Sequence, residues 1–300
     1  MTDSLPAPRP LDHLVLPVAD LSSARERLVD LGFTVAADAK HPFGTENACV
    51  FFENGSYLEP LAVASREECD AAARQGNVFV ARDQAFRFRC GEEGLSAIVV
   101  GSEHASVDHN RFREAGFSAG DMLSFSRPML MSDGSSAEAS FALAFAADLR
   151  SPDFFLFSCQ RVSMPPVDRA ALTRHANGVT GISAVVLGEE NPSDFQYLLE
   201  VVFEQRDVRA HSFGIELTSS NCRVEVLTSA GLKGFYGIDA GTAGRGLCGR
   251  AVVFSVTDLG VTEKRLADRG VAYSNVAGRL VVAPGRGQGV AFAFEEAARA

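Results

Sequence analysis

The 300-residue sequence has no tryptophan, and its six cysteines stand apart without a CxxC pair. Scattered cysteines indicate reduced thiols rather than a disulfide framework. No apolar run approaches the roughly 20 residues that a membrane-spanning helix needs. The net charge is −10 and clustered Lys and Arg are lacking, which argues against binding to a nucleic-acid backbone. We therefore expect neither a membrane segment nor a nucleic-acid partner.

Several common functional motifs are also missing. There is no GxSxG motif for a serine hydrolase, and no GxGxxG motif follows a predicted strand, so phosphate cradles of that type are not expected. The first ten residues are rich in proline and lack the basic and apolar stretches of a secretory signal. We expect them to form a flexible arm on a cytoplasmic protein.

The sequence does have the composition of a globular protein with real cores. Hydrophobic residues make up 46% of the chain and charged residues 22%, and a chain of this length suggests about two domains. Phenylalanine, with 22 residues, is the main aromatic type. Most of these rings are expected in the core, with some flooring an apolar pocket.

The most informative feature is an internal repeat. The segment 18–35 (VADLSSARERLVDLGFTV) aligns without a gap on 256–273 (VTDLGVTEKRLADRGVAY), and weaker copies of the preceding apolar strand occur at 97–102 and 183–188. A His-x-Phe-Gly turn is also repeated, at 41–44 and 211–214. Internal repetition of this kind predicts four versions of one structural unit.

Each unit is predicted to have the order strand, helix and three strands, or βαβββ. The modules cover 11–63, 95–160, 178–230 and 249–296, with a connecting helix at 65–76. The glycine-rich segment 231–248 is predicted to be a loop. The predicted fold is α+β, with a first domain at 11–160, a linker at 161–176 and a second domain at 177–300, each a pair of modules forming an open, cup-shaped sheet.

The strand LDHLVLPVADL, the loop HPFGTEN and the strand GSYLEP resemble recurring segments of the glyoxalase-like branch of the vicinal oxygen chelate superfamily. That superfamily includes glyoxalases, dihydroxybiphenyl-type extradiol dioxygenases, epimerases and bleomycin-resistance proteins. The resemblance implies metal ligands on the first and last strands of paired modules. His13 and Glu59 match these positions, while Ala97 and Ala251 stand where modules two and four would carry histidine.

Module three combines Ser183 with Glu225 at the same two positions. The metal set implied by the resemblance is therefore His13, Glu59 and Glu225, holding Zn, Mn, Ni or Fe. Whether Glu225 can join His13 depends on whether module one pairs with module two or across the halves, which the sequence leaves open. Without a metal, the apolar neighbours of Glu59 predict a raised pKa.

Other polar residues are candidate substrate ligands. His41, Thr45 and Asn47 lie on a loop before a strand, where a simple turn is an equal alternative. Tyr57 belongs to the same strand as Glu59. The last two candidates, His175 and Asn177, precede module three and could reach the first cleft or simply form a surface linker.

The residues and the resemblance together leave two functions open. In one, Glu59 and His13 are catalytic, and a divalent metal supports lyase or isomerase chemistry on a small oxygen-rich metabolite. In the other, the cleft binds or sequesters a small molecule without catalysis and without a metal. The only partner expected in either case is a small-molecule ligand, apart from a second copy in a homodimer.

Overall fold

A computed structural model describes residues 7–130, 136–166, 168–240 and 244–297. Its helices are α1 (Leu21–Asp30), α2 (Arg66–Arg74), α3 (Val78–Cys90), α4 (Ala105–Glu114), α5 (Gln196–Phe203), α6 (Ser229–Tyr236) and α7 (Leu259–Asp268). Within the described residues, no helix is long and apolar enough to cross a membrane.

The strands of the first half are β1 (Leu11–Pro17), β2 (Ala39–Lys40), β3 (Thr45–Asn47), β4 (Val50–Phe51), β5 (Tyr57–Val63), β6 (Ala97–Ser102), β7 (Leu123–Leu130), β8 (Ser136–Ala146) and β9 (Phe155–Ser163). Those of the second half are β10 (Val179–Gly188), β11 (Val208–His211), β12 (Gly214–Thr218), β13 (Arg223–Leu227), β14 (Cys248–Val256), β15 (Ser274–Val276), β16 (Arg279–Val282) and β17 (Ala291–Glu296).

These strands form one mixed sheet in each half. The first has the order β2-β3-β5-β1-β6-β9-β8-β7, with β4 paired to β5, and the second has the order β11-β12-β13-β10-β14-β17-β16-β15. In each, the first strand pairs parallel with the last strand of its own module and antiparallel with the next module. The predicted α+β fold of paired βαβββ modules is confirmed, and the modules pair within each half.

Local sequence explains the repeated strand–helix step. Asp20 caps α1 by accepting a hydrogen bond from the backbone N–H of Ser23 at 2.7 Å, and Asp258 caps α7 in the same way from Gly260 at 2.7 Å. Gly32 follows α1 with φ +94°, and a Cβ there would lie 2.8 Å from the Cβ of Asn177. Glycine is required at this position, where the two halves touch.

The two faces of the first sheet have different roles. On the outer face, Leu14 and Leu16 join a hydrophobic core that includes residues of α1 and α4 and runs on into the second half. On the inner face, Val15 and Phe157 join a separate cluster with Phe79 of α3. We call this inner face the first cup, and the corresponding face of the second sheet the second cup. Helix α6 packs in the second cup through Leu232 and Tyr236.

Three local predictions differ from the structure. Helix α3 occupies residues for which the sequence predicts no element, and α6 replaces the start of the predicted loop 231–248. Thr228 caps α6 by accepting from the N–H of Gly231 at 3.3 Å, although the segment is rich in glycine. The sequence predicts the first of the three later strands of module one at 32–37, but these residues form no strand. In the predicted arm, residues 1–6 lie outside the described residues, while Arg9 is held by Asp108 and Glu204 at 2.7 and 2.8 Å.

Candidate functional site

His13 is the buried centre of the polar group in the first cup. Its Nδ1 lies 2.7 Å from the Asp12 carboxylate and its Nε2 lies 3.3 Å from Glu59. Its ring stacks on Tyr57, with centroids 4.4 Å apart. Burial acts to lower the pKa of His13, but hydrogen bonds to the two carboxylates outweigh it, and the net shift is upward. The contacts with the two carboxyl groups therefore favour the protonated form of the ring.

Asp12 reaches His13 because β1 is irregular at this point. Adjacent side chains of a regular strand point to opposite faces, but the register of β1 against β6 shifts between Leu11 and His13. The other oxygen of Asp12 lies 2.7 Å from the guanidinium of Arg161. Sequence reasoning missed both residues, although the acid next to His13 was a visible signal.

Glu59 is buried on β5 and ionised. It accepts a hydrogen bond from the side-chain amide of Asn47 at 2.6 Å. Burial tends to raise the pKa of Glu59, but His13, His41 and Asn47 stabilise the anion and bring the pKa to about 2. The raised pKa expected for a metal-free Glu59 is therefore wrong, because its polar partners outweigh the effect of burial.

His41 completes the polar group from the turn between β2 and β3. Its Nδ1 lies 2.8 Å from the Thr45 hydroxyl oxygen, and its Nε2 lies 3.6 Å from Glu59. Burial lowers the pKa of His41 to about 4, so the ring is neutral at pH 7. Thr45 thus orients His41, and the structure brings the predicted residues of this loop together with His13 and Glu59.

The polar group opens into a small cavity with about 40 Å³ of interior space. One buried water needs about 10–15 Å³ of such interior space, so the cavity has room for about three water-sized groups. Its walls are mainly aromatic. They consist of His13, His41, Phe43, Tyr57, Glu59, Phe79, Phe125, Arg127, Phe141, Leu143, Phe157 and Cys159.

The donor atoms of this cavity do not complete a metal site. Module two contributes no histidine or carboxylate to the cavity; its lining residues are Phe125, Arg127, Phe141, Leu143, Phe157 and Cys159. Among the residues that the structure describes, no group of three or more His, Cys, Asp or Glu side chains is placed to hold a metal ion. His13 and Glu59 supply two donors, whereas a catalytic zinc site has three protein ligands. The residues present therefore do not fit a complete catalytic metal site.

Glu225 belongs to a different environment, so its predicted place in the metal set is wrong. It lies in the second sheet, where it accepts a hydrogen bond from the Tyr236 hydroxyl at 2.8 Å and faces Arg223 at 3.6 Å. The physical reason is the pairing of modules within each half, which puts β13 and β5 in separate sheets.

His175 and Asn177 connect the halves and do not line the cavity, so their predicted role as substrate ligands is also wrong. His175 accepts from the backbone N–H of Thr34 and donates to the carbonyl of Phe51, each at 3.0 Å. Asn177 donates to the carbonyl of Leu31 at 2.9 Å. The polar atoms of both side chains are used by backbone groups of the first half, apart from the Asn177 side-chain oxygen, which accepts from the N–H of Val179.

Paired βαβββ modules with a polar group in the cleft define a protein of the vicinal oxygen chelate superfamily. A model of the glyoxalase-like domain matches residues 11–203, and the chain belongs to that family. No curated protein matches the chain.

Solved structures share the fold at low identity. A hypothetical protein from Staphylococcus aureus is 13% identical, with a TM-score of 0.65 over 96% of this chain and 99% of that one. A triple mutant of 4-hydroxymandelate synthase from Streptomyces coelicolor is 15% identical, with a TM-score of 0.60 over 98% and 94%. The Mn(II)-bound glyoxalase from Novosphingobium aromaticivorans is 12% identical, with a TM-score of 0.52 over 96% and 82%.

Proposed function

We propose that the first cup binds a small organic molecule through an oxygen-bearing end, with Glu59 and His13 as polar anchors. The observation that carries this proposal is a charged pair, Glu59 and His13, at the wall of an aromatic-lined cavity. Charged side chains are rarely buried, and shifted pKa values in a cleft are typical of functional sites. The proposal covers sequestration as well as catalysis.

The distances around Glu59 indicate where a ligand would bind. Charge-assisted N–H···O bonds are usually about 2.7–2.9 Å long. The Nε2 of His13 is 3.3 Å from Glu59, and the Nε2 of His41 is 3.6 Å from it. Both contacts are loose, so a ligand carbonyl could accept from His13 while a ligand hydroxyl donates to Glu59.

The cavity limits the size of the buried end. Space for about three water-sized groups admits an oxygen-bearing end of about three or four non-hydrogen atoms. Any larger apolar body would then lie against the phenylalanines at the opening. Small hydroxy and oxo compounds, together with 4-hydroxymandelate from the name of a structural relative, form the first screening panel.

The test compares Glu59→Gln with Glu225→Gln. The tightest compound from a thermal-shift screen is titrated into each protein by calorimetry. A hydrogen bond to a charged group contributes about 1.5–3 kcal/mol, so Glu59→Gln should weaken binding about tenfold or more. Glu225→Gln, a change at the equivalent buried position of the second cup, should bind like the wild type. Equal affinity in all three proteins would contradict the proposal.

A second candidate is lyase or isomerase chemistry with a divalent metal. The contact between Asp12 and the Nδ1 of His13 favours it, because metal-ligating histidines usually donate their other ring N–H to a carboxylate. His13 and Glu59 supply only two protein donors, fewer than the three of a catalytic zinc site. The first proposal therefore does not use a metal.

Elemental analysis by plasma mass spectrometry after incubation with Zn, Mn, Ni or Fe separates the two candidates. Stoichiometric metal that is lost in His13→Ala and Glu59→Ala but kept in Glu225→Ala would establish the second. Metal bound equally by all four proteins would reject it. The cytoplasmic location and the homodimer stay predictions from the sequence.

A further inference from the structure

A second cavity adjoins the proposed binding cavity, and Arg127 lines both. We call it the outer chamber. It has a volume of about 470 Å³ and is also lined by Lys40, Asn47, Phe51 and Arg169. Asn47 connects the two spaces, because it lines the outer chamber and donates to Glu59 of the inner cavity. A ligand held at Glu59 would therefore extend toward the outer chamber.

The outer chamber is rich in positive charge, although the chain as a whole carries −10. Lys40, Arg127 and Arg169 all line it. The acidic residue on its wall, Asp38, is paired with Arg25. Lys40, Arg127 and Arg169 therefore face a space in which the Asp38 carboxylate is already paired with another arginine.

Arg169 is the cation whose environment argues most strongly for a ligand. Its guanidinium lies 4.3 Å from the ring centre of Phe51 and is half-buried. Across the described ranges, no carboxylate lies within ion-pair distance of it. Burial, with the neighbouring charge of Arg161, lowers the pKa of Arg169. Such an environment disfavours the cation, and a bound anion would relieve it.

Arg127 and Arg169 approach the chamber from different elements, β7 and the segment after β9. Cys49 also lines the chamber. Burial raises the pKa of the Cys49 thiol, and the charges of both arginines oppose that rise. Both arginines therefore contribute positive charge at the wall of the chamber that carries this thiol. A guanidinium group can hold a carboxylate or a phosphate through paired N–H donors.

We propose that the outer chamber is a subsite for an anionic group, a carboxylate or a phosphate, on the molecule whose oxygen-bearing end binds at Glu59 and His13. This inference rests on the proposed function and narrows the ligand class to small organic anions. Arg169 and Arg127 would hold the anion, and Phe51 would keep the Arg169 guanidinium in place.

The test uses inorganic phosphate, acetate and chloride at equal ionic strength, with Tm as the readout. Phosphate or acetate should raise the Tm of the wild type above its value in chloride, by about 2–4 °C at several times the Kd. The anion that gives the rise shows whether the subsite takes a carboxylate or a phosphate. Arg169→Gln should lose at least half of it, Arg169→Lys should lose less, and the exposed control Arg209→Gln should keep all of it.

Two outcomes would overturn the inference. One is no rise above chloride in the wild type, and the other is an equal rise in Arg169→Gln. If Arg169→Gln does not fold, as judged by circular dichroism, Arg127→Gln decides. A rise equal to that of the wild type in Arg127→Gln then counts against the subsite.

Glu59→Gln separates this inference from the proposed function. It should keep the rise with the inorganic anion while losing affinity for the organic compound. Loss of organic binding in Glu59→Gln without any anion effect would reject the outer chamber alone. An anion effect that depends on Arg169, with organic binding unchanged in Glu59→Gln, would reject the proposed function and retain the anion subsite.

Discussion

The two cups are built from the same βαβββ modules, yet their polar groups are in different states. In the second cup both Glu225 and Glu295 have short contacts with neutral or charged donors, although Arg223 lies 3.6 Å from Glu225. Ser183 donates to Glu295 at 2.8 Å, Tyr236 donates to Glu225 at 2.8 Å, and Arg279 donates to Glu295 at 2.7 Å. In the first cup Glu59 has one short contact, with Asn47 at 2.6 Å, and lies 3.3 Å and 3.6 Å from two histidines beside a cavity. The comparison teaches that the βαβββ module fixes where the polar side chains lie. The packing of the helices decides whether such a side chain stays accessible to a ligand.

Helix α6 is the main cause of the difference. It places Tyr236 directly on Glu225 and so satisfies the carboxylate that corresponds to Glu59. In the first cup, α3 contributes Phe79, which supplies an aromatic wall and no hydrogen bond to Glu59. The proposed binding role of Glu59 rests on this difference, since its two histidine contacts are longer than the contact between Tyr236 and Glu225.

The largest expected effect comes from removing the imidazole of His13. His13→Ala leaves the carboxylates of Asp12 and Glu59 buried without the cation between them. Removing one partner of a buried ion pair costs about 3–5 kcal/mol. The free energy of unfolding, measured by urea denaturation at pH 7, should fall by that amount.

Ser183→Ala is the matched change in the second cup. It removes one hydrogen bond to Glu295 and should cost about 1–2 kcal/mol. An equal loss of unfolding free energy in His13→Ala and Ser183→Ala would mean that the two cups do not differ electrostatically.

A second expected effect is on the pH dependence of stability. The pKa of His41 is about 4 in the folded protein, below its ordinary value of 6.5. Between these values the unfolded chain binds a proton at His41 that the folded chain does not, so stability falls as the pH falls from 6.5 to 4. The loss from His41 is about 3 kcal/mol. Glu59, with a pKa of about 2, adds to the loss below pH 4.5.

His13 acts in the opposite direction. Its raised pKa gives stability that is complete below pH 6.5 and is lost as the pH rises through the folded value. His41→Gln should therefore flatten the acid-side decline in urea titrations at several pH values. His211→Gln, at the repeated turn of the second half, should leave the profile of the wild type. A steep decline that persists in His41→Gln would refute this assignment.

The smallest expected effect comes from Tyr236→Phe in the second cup. It removes the hydrogen bond to Glu225 and should lower the free energy of unfolding by about 1–2 kcal/mol. Ligand affinity in the calorimetric titration should not change. A loss of affinity would move the binding site to the second cup.

Most of the fold can be predicted from the sequence. The caps Asp20 and Asp258 and the following glycines Gly32 and Gly270 repeat because each strand–helix step needs them. These local causes make the modules visible as repeats along the chain. Helix α6 is harder to predict because the glycines within it weaken its helical pattern, and its stability comes from packing Leu232 and Tyr236 into the second cup.

The site was partly predictable. His13, Glu59, His41 and Asn47 can be identified from their positions in the sequence, and they meet in the structure. Asp12 is visible beside His13 in the sequence, but its contact with the ring depends on a register shift that the sequence does not reveal. The roles expected for His175 and Asn177 failed because their partners are backbone groups far away in sequence.

The most direct test of the difference between the cups is a crystal structure of the protein with the tightest compound from the screen. Ligand density should lie in the first cup, with an oxygen within hydrogen-bond distance of Glu59 or the Nε2 of His13. Density in the second cup near Glu225, or outside both cups, would contradict the account.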